Sequence, residues 1–552
     1  MKNLSELKLN YNRIQSVQPI SDLKHIQVLE LNHNTITDIS SLIYMTSLTK
    51  LDLSWNMISD ATTIRNLIFL THFYVTNNQL DNIDFIQELL NIQYFDASQN
   101  KLCNIPCILK LQQLVEIKLE GNHLKSITLD GIQQLQYIYL SNNPIENISL
   151  NNLQQLTCLQ LRNTKIKNID NLQNLISLQN LDIGDNKLQQ INVISSLTNI
   201  EELNISGNQI NNLKYLSKLD NLKSVNLSNN QVVELTGLNT QLSNLYIEGN
   251  KIQIQQLRIQ LLYSTISILQ LNGTLIQNED LEILTQFTCL TQLYLRKCGI
   301  SSIEALVKSK KVDKPNSKKN NNCVNLIKLQ ILDLSANQIE TVNELSELLN
   351  LQQLDISSNR IYKIDSFNKL KYLKILKIND NEIWSFDFFQ MSHNIQQLFI
   401  GNNKSAYNYQ LIKNITSQYG VQILDISQNN IENIDQLSLL INLKQLNLSQ
   451  NKIYKTNSLQ TLIYLKKLDI SRNNINNNIE IQDFLIPVTL LTNLQELNIS
   501  HNSISSVDMF CKLKNLKILD ISHNQIQNIN DQAWRFDVRA EEALLKYQLC
   551  LV

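Results

Sequence analysis

The 552-residue chain carries 48 Lys and Arg against 49 Asp and Glu, a net charge of −1, and 43% hydrophobic residues. Near-neutral charge supplies no global attraction to nucleic acid or to an anionic membrane, and Leu and Ile are spread too evenly for any run to approach the roughly 18 apolar residues of a membrane helix. With ten Gly and seven dispersed His there is no GxGxxG, GxxxxGK, GxSxG or HExxH and no Cys/His set at zinc spacing, so the sequence reads as a non-enzyme that uses no metal or cofactor.

The opening MKNLSELKLNYN has one Lys and then alternating polar residues where a secretory signal would have an apolar core. Eight Cys, at 103, 107, 158, 289, 298, 323, 511 and 550, are scattered without a CxxC pair, which suits a reducing compartment rather than a stapled secreted array. A cytoplasmic protein is expected. NxS/T sequons such as Asn226-Leu-Ser fall inside the repeating strand motif and read as its by-products.

From Leu4 onward the chain repeats LxxLxLxxN, with the Asn at 12, 34, 56, 78, 100 and 122, a strict 22-residue step. The slot continues at Asn143, Asn186, Asn208, Asn230, Asn250, Asn337, Asn359, Asn381, Asn403, Asn429, Asn451, Asn473, Asn502 and Asn524, with Thr164, Thr274 and Cys298 in three further repeats, 23 in all. Apolar residues then come every third position, as in Ile14, Val17, Ile20, Leu23 and Ile26, a spacing for a tight helical or extended return. No 22-residue unit can bury its own apolar face, so successive units must stack into one core. The Asn amide, which both donates and accepts, is expected to satisfy backbone groups freed where the strand turns.

LxxLxLxxNxIxxIxxLxxLxx, over about residues 4 to 530, resembles the leucine-rich repeat. Its 22-residue form is similar to the subfamily that includes the regulatory subunit of type-1 protein phosphatase and the repeat region of bacterial internalins. The resemblance implies an α/β solenoid, a horseshoe or arc with a parallel concave β-sheet of about 23 strands and short helical or extended convex returns. It also implies a protein partner on the concave face. The motif residues are the buried ones, so fold is better specified than function, and no phosphatase-contacting residue of the family matches a position here.

In chain order the expected organisation is repeats 1 to 14 over 1–305, a Lys/Asn-rich insertion over 306–325, repeats 15 to 23 over 326–530 and a C-terminal segment over 531–552. The first motif opens at Leu4 without a capping segment before it, which would leave a strand edge exposed. Between Asn250 and Asn337 the spacing becomes 24, 24 and 39 residues, the expected place for a kink or hinge. VKSKKVDKPNSKKNNN, with six Lys, reads as a solvated disordered loop, with a nuclear-import signal as the functional alternative. After it, DQAWRFDVRAEEALLKYQLCLV is expected to form an amphipathic helix from about Arg539 to Leu549, capping the array with Trp534, Leu544, Leu545 and Leu549.

Residues that refuse to repeat are the informative ones. In repeats 15 to 23 the solvent-facing column reads Asp333, Asp355, Lys377, Phe399, Asp425, Asn447, Asp469, Asn498 and Asp520, mostly a default polar ladder. In repeats 4 to 7 it reads Tyr74, Asp96, Lys118 and Tyr139, beside a second column of His72, Tyr94, Glu116 and Tyr137. Such a patch spans roughly 15 Å and is rich in the side chain that favours binding hot spots, although Tyr is also favoured on any sheet surface. Trp55, Lys50 and Asp52 are expected to extend it, and Tyr246, Tyr294, Arg296 and Lys297 form a second cluster. Cys103 and Cys107 read as buried filler on a return, and His501 and His523, one repeat apart, could touch. The chain is thus expected to be a monomeric, non-catalytic protein-binding scaffold or regulatory adaptor, with no nucleic acid or membrane partner. Alternatives are a phosphatase regulatory subunit-like protein, for which type-1 protein phosphatase is the partner, an internalin-like surface adhesin, or an enzyme subunit separated from its catalytic domain.

Overall fold

The computed structural model describes residues 4–238, 241–259, 265–307, 326–364, 367, 369–385, 394–403, 408–416, 418–475, 486–506 and 508–526. The Lys/Asn-rich stretch from 308 to 325 and the C-terminal segment with Trp534 lie outside these residues. The chain folds as two compact units, Met1–Ile266 and Ser267–Val552.

Most repeats contain a three-residue strand whose central side chain is buried and whose flanking side chains are at least partly exposed, as at Lys50–Asp52, His72–Tyr74 and Tyr94–Asp96. Alternation along a strand sends neighbouring side chains to opposite faces, so one Leu or Phe per strand suffices for the core. Within the first unit the strands pair in parallel with no slip: Leu7, Leu29, Leu51, Phe73, Phe95, Ile117, Ile138 and Leu159 are successive partners. The second unit repeats this, from Leu269 opposite Leu293 to Leu497 opposite Leu519. The fold is an α/β solenoid with a parallel sheet of 23 strands among the described residues, in agreement with the repeat count.

The Asn ladder explains how so short a strand can end. Asn122 Nδ2 donates to the carbonyls of Leu119 in its own repeat and Ala97 in the one before, both at 3.0 Å, while its Oδ1 accepts from Leu102 N at 3.0 Å. Asn34, Asn56, Asn78 and Asn100 repeat the pattern. Thr164 keeps part of it through Oγ, 3.1 Å from Leu161 O, and Cys298 through Sγ, 3.3 Å from Leu271 O. The residue before each Asn turns the chain in the left-handed region: His33, Trp55, Asn77 and Gln99 lie at φ 56, 57, 52 and 54°.

Returns are mostly one 3-10 turn, such as Ser40–Tyr44, Thr62–Asn66, Asp84–Glu88 and Pro106–Lys110. A 3-10 helix has three residues per turn, so Ile39, Leu42, Met45 and Leu48, all buried, fall on one side. The extended alternative also occurs: Ser126–Thr128 pairs in parallel with Asn147–Ser149. Where the spacing lengthens, the additional residues form Gln256–Ile259, the nine-residue 3-10 helix Asn278–Gln286 and Glu304–Val307.

Candidate partner-binding face

In the first unit, His72–Tyr74, Tyr94–Asp96, Glu116–Lys118 and Tyr137–Tyr139 run side by side. Register turns the two sequence columns into two rows. One is His72, Tyr94, Glu116 and Tyr137; the other is Tyr74, Asp96, Lys118 and Tyr139. Behind them Phe73 and Phe95 are fully buried, with ring centroids 5.7 Å apart, and Phe85 meets Phe73 edge-on at 6.4 Å. The rows therefore stand on close-packed aromatic side chains.

On the exposed face the His72 ring stacks on Tyr94 at 4.5 Å and 18°, and meets Tyr74 edge-on at 6.3 Å. Lys118 Nζ lies 2.9 Å from Glu116 Oε1 and 5.1 Å from the centre of the Tyr139 ring. Lys50, beside His72 in its row, pairs with Glu30 at 2.7 Å. Asp52, beside Tyr74, accepts from Asn32 Nδ2 at 2.7 Å and Ser54 N at 3.0 Å.

This environment shifts several groups. Burial, then the carboxylates of Glu116, Asp52 and Asp96, pushes the Tyr74 phenol up to about 12. Burial also raises Tyr139, and burial followed by repulsion from Asp96 raises Glu120. Partial burial, then the Lys50 ammonium, lowers His72. His72 should therefore titrate below about 6.5, the ordinary histidine value. Since the unfolded chain takes up this proton first, the contribution of His72 to stability is lost as pH falls from about 6.5 through its folded value. An NMR titration of the ring proton checks this: Lys50→Ala should move the value back toward 6.5 without reaching it, and a wild-type value at or above 6.5 would contradict the assignment.

The column after each central strand residue has a structural cause that the sequence reading missed. Asp96 Oδ1 accepts from Ser98 N at 2.9 Å, and the same bond to the residue two positions on is made by Asp182, Asp333, Asp355, Asp425, Asp469 and Asp520. Asn204, Asn226, Asn447 and Asn498 make it through their amide oxygens. These are Asx turns that satisfy an N–H where strand becomes loop. The signal was the recurrent Asp/Asn-x-Ser in LDLS, LDIS and LNLS. Tyr74, Lys118 and Tyr139 stand in this column and cannot make that bond through an Asx side chain.

The remaining candidates are dispersed. Trp55 does not extend the rows: it lies three residues beyond Asp52 at φ 57°, its ring stacked 5.1 Å from His33, which in turn stacks 4.2 Å from Tyr11. Tyr246 is on the first-unit sheet opposite Asn226, its phenol raised by burial and then by Glu202. Tyr294 and Arg296 belong to the second unit, where Tyr294 Oη donates to Gln292 Oε1 at 2.9 Å and Arg296 N to Asn272 Oδ1 at 2.8 Å. Cys107 is buried, but Cys103 is exposed and not filler: the core position there is taken by its neighbour Leu102. His501 and His523 do touch, stacked at 4.0 Å. An open groove of about 870 Å³, lined by Phe69, Leu90, Thr49, Thr71 and Gln93 among others, adjoins the rows at the strand entries. Among the described residues no group of three or more His, Cys, Asp and Glu is placed to hold a metal, and no helix is long and apolar enough to cross a membrane.

Family models described as leucine-rich repeats match residues 2–58, 134–156 and 196–213, and a two-copy model matches 349–391 and 492–533. No curated protein matches the sequence. Among solved structures the chain is similar to a TLR13–ssRNA13 complex, at 22% identity and TM-score 0.53 over 94% of this chain and 69% of that one. It is also similar to a TDR receptor, at 19% and 0.50 over 92% and 91%. A third similarity is to the functional domain of InlJ from Listeria monocytogenes, at 22% and 0.42 over 71% and 72%. The repeated strand, the Asn ladder that closes it and the family-model matches together make the chain a leucine-rich repeat protein.

Proposed function

We propose that this protein is a non-catalytic scaffold or regulatory adaptor that binds another protein on the exposed sheet face of its first unit. Tyr74, Tyr94, Tyr137 and Tyr139 act as anchors, and Asp96, Glu116 and Lys118 set the register of the partner. The observation that carries this reading is the cluster of aromatic side chains on four adjacent strands, three of whose column positions depart from the Asx turn used in other repeats. Rings held on a packed core bury much area at little entropic cost, the combination that marks interface hot spots. His72 supports Tyr94 by stacking; Trp55 and Tyr246 lie off the patch within the same unit. The partner is an intracellular protein met in the cytoplasm, and the resemblance to the 22-residue repeat subfamily makes the type-1 phosphatase catalytic subunit one candidate.

The test is capture from native cytosol by the full chain and by a Tyr74→Ala/Tyr139→Ala variant, with affinities then measured for the purified partner. Loss of two hot spots should weaken binding by at least about 30-fold, with an unchanged circular dichroism spectrum. Equal affinity of both proteins for every captured partner would overturn the assignment.

A further inference from the structure

We infer that the partner presents an arginine-bearing segment to this face, its guanidinium stacking on Tyr74 between the carboxylates of Asp52 and Asp96. This deepens the binding reading above and rests on it. The first support is the balance of charge. Lys50 is engaged by Glu30 at 2.7 Å and Lys118 by Glu116 at 2.9 Å. Asp52, Asp96 and Glu120 have no cationic side chain in ion-pair contact among the described residues. The face therefore carries unbalanced negative charge centred on one row.

The second support is that the chain already combines a cation, a ring and a carboxylate at Tyr139, while Tyr74 has the ring and carboxylates without the cation. At Tyr139 the chain's own Lys118 lies 5.1 Å over the ring while bonded to the Glu116 carboxylate: a cation, a ring and a carboxylate. Tyr74 is the register partner of Asp52 on one neighbouring strand and of Asp96 on the other, and both carboxylates, with Glu116, act on its phenol. No described side chain supplies the cation, and no described residue hydrogen-bonds the Tyr74 hydroxyl. Strand neighbours are about 4.8 Å apart, so a planar guanidinium on the ring can direct N–H groups to a carboxylate on either side. An ammonium offers one point charge and no plane to stack, hence the preference for arginine.

The segment's neighbouring side chain has a place as well. Thr49, Thr71 and Gln93 lead directly into Lys50, His72 and Tyr94 and line the groove floored by Phe69 and Leu90, which are 57% and 55% exposed. An apolar residue flanking the arginine would bury these two, and polar groups on the groove wall remain for its backbone.

Random peptides displayed on phage and selected against the full chain test this. The enriched sequences are then measured by fluorescence anisotropy on wild type, on Tyr74→Ala and on Asp52→Asn/Asp96→Asn. The Asn pair removes charge but keeps the turn, as Asn204, Asn226, Asn447 and Asn498 show. The expected result is enrichment of Arg next to an apolar residue, about tenfold weaker binding to either variant, and further weakening when Arg is changed to Lys in the peptide. Peptides lost on Tyr74→Ala but indifferent to the Asn pair would overturn the arginine assignment and leave the binding face standing. Peptides indifferent to both variants would overturn the face as well. Enrichment of acidic or uncharged sequences, or of none, would contradict the inference.

Discussion

Replacing Asn122 by Ala should cost the first unit about 3 to 5 kcal/mol, because it leaves buried backbone groups unpaired at about 1 to 3 kcal/mol each. The amide is 3% exposed and serves Ala97 O, Leu119 O and Leu102 N, each at 3.0 Å. Two of these groups belong to the preceding repeat, so the damage falls on the interface between repeats of the stack, the term that holds a repeat array together. Asn122→Thr should recover part of the loss, since Thr164 in the same slot still donates to its own strand's carbonyl. Urea unfolding of the full chain, with hydrogen exchange at the Leu102 amide as the local readout, measures both. A loss under about 1 kcal/mol for Asn122→Ala would mean that water replaces the side chain.

Phe73→Ala is the second large effect, about 3 to 5 kcal/mol for a fully buried ring that leaves a cavity. Phe73 sits between His72 and Tyr74 and holds Phe95 and Phe85 in ring contact, so its removal loosens the support of the binding rows as well as the core. Partner affinity should fall along with stability even though Phe73 is 0% exposed and touches no partner. Phe73→Leu installs the residue found at this position in neighbouring repeats, Leu29 and Leu51, and should cost less than about 1.5 kcal/mol with binding largely kept. Urea unfolding and anisotropy on the same samples decide it. If Phe73→Ala unfolds like wild type, the ring is not the support of this face.

Much of the architecture was legible because a strict period constrains register. Once Leu51, Phe73 and Phe95 recur at 22-residue steps, parallel pairing must place them opposite one another, and the columns beside them become rows. Features that depend on the turn between strand and return were not legible. Trp55 looked like a neighbour of Asp52, but the left-handed residue at that point swings its ring off the sheet and onto His33. The Asp and Asn ladder looked like default polarity because its partner is a backbone N–H two residues away, invisible without geometry. The groove joins Phe69 and Leu90, which end two different returns; nothing in either repeat alone announces that they converge. Asp96 shows both kinds of role in one residue, with one oxygen in an Asx turn and a charge that faces Tyr74.

Hydroxyl-radical footprinting of the full chain, free and bound to its captured protein partner, most directly tests where binding occurs. The account predicts that oxidation of Tyr74, Tyr94, Tyr137 and Tyr139 is suppressed in the complex while Tyr372 and Tyr464, 61% and 55% exposed on the returns, react as before. Protection of those two with the first-unit rows still reactive would contradict it.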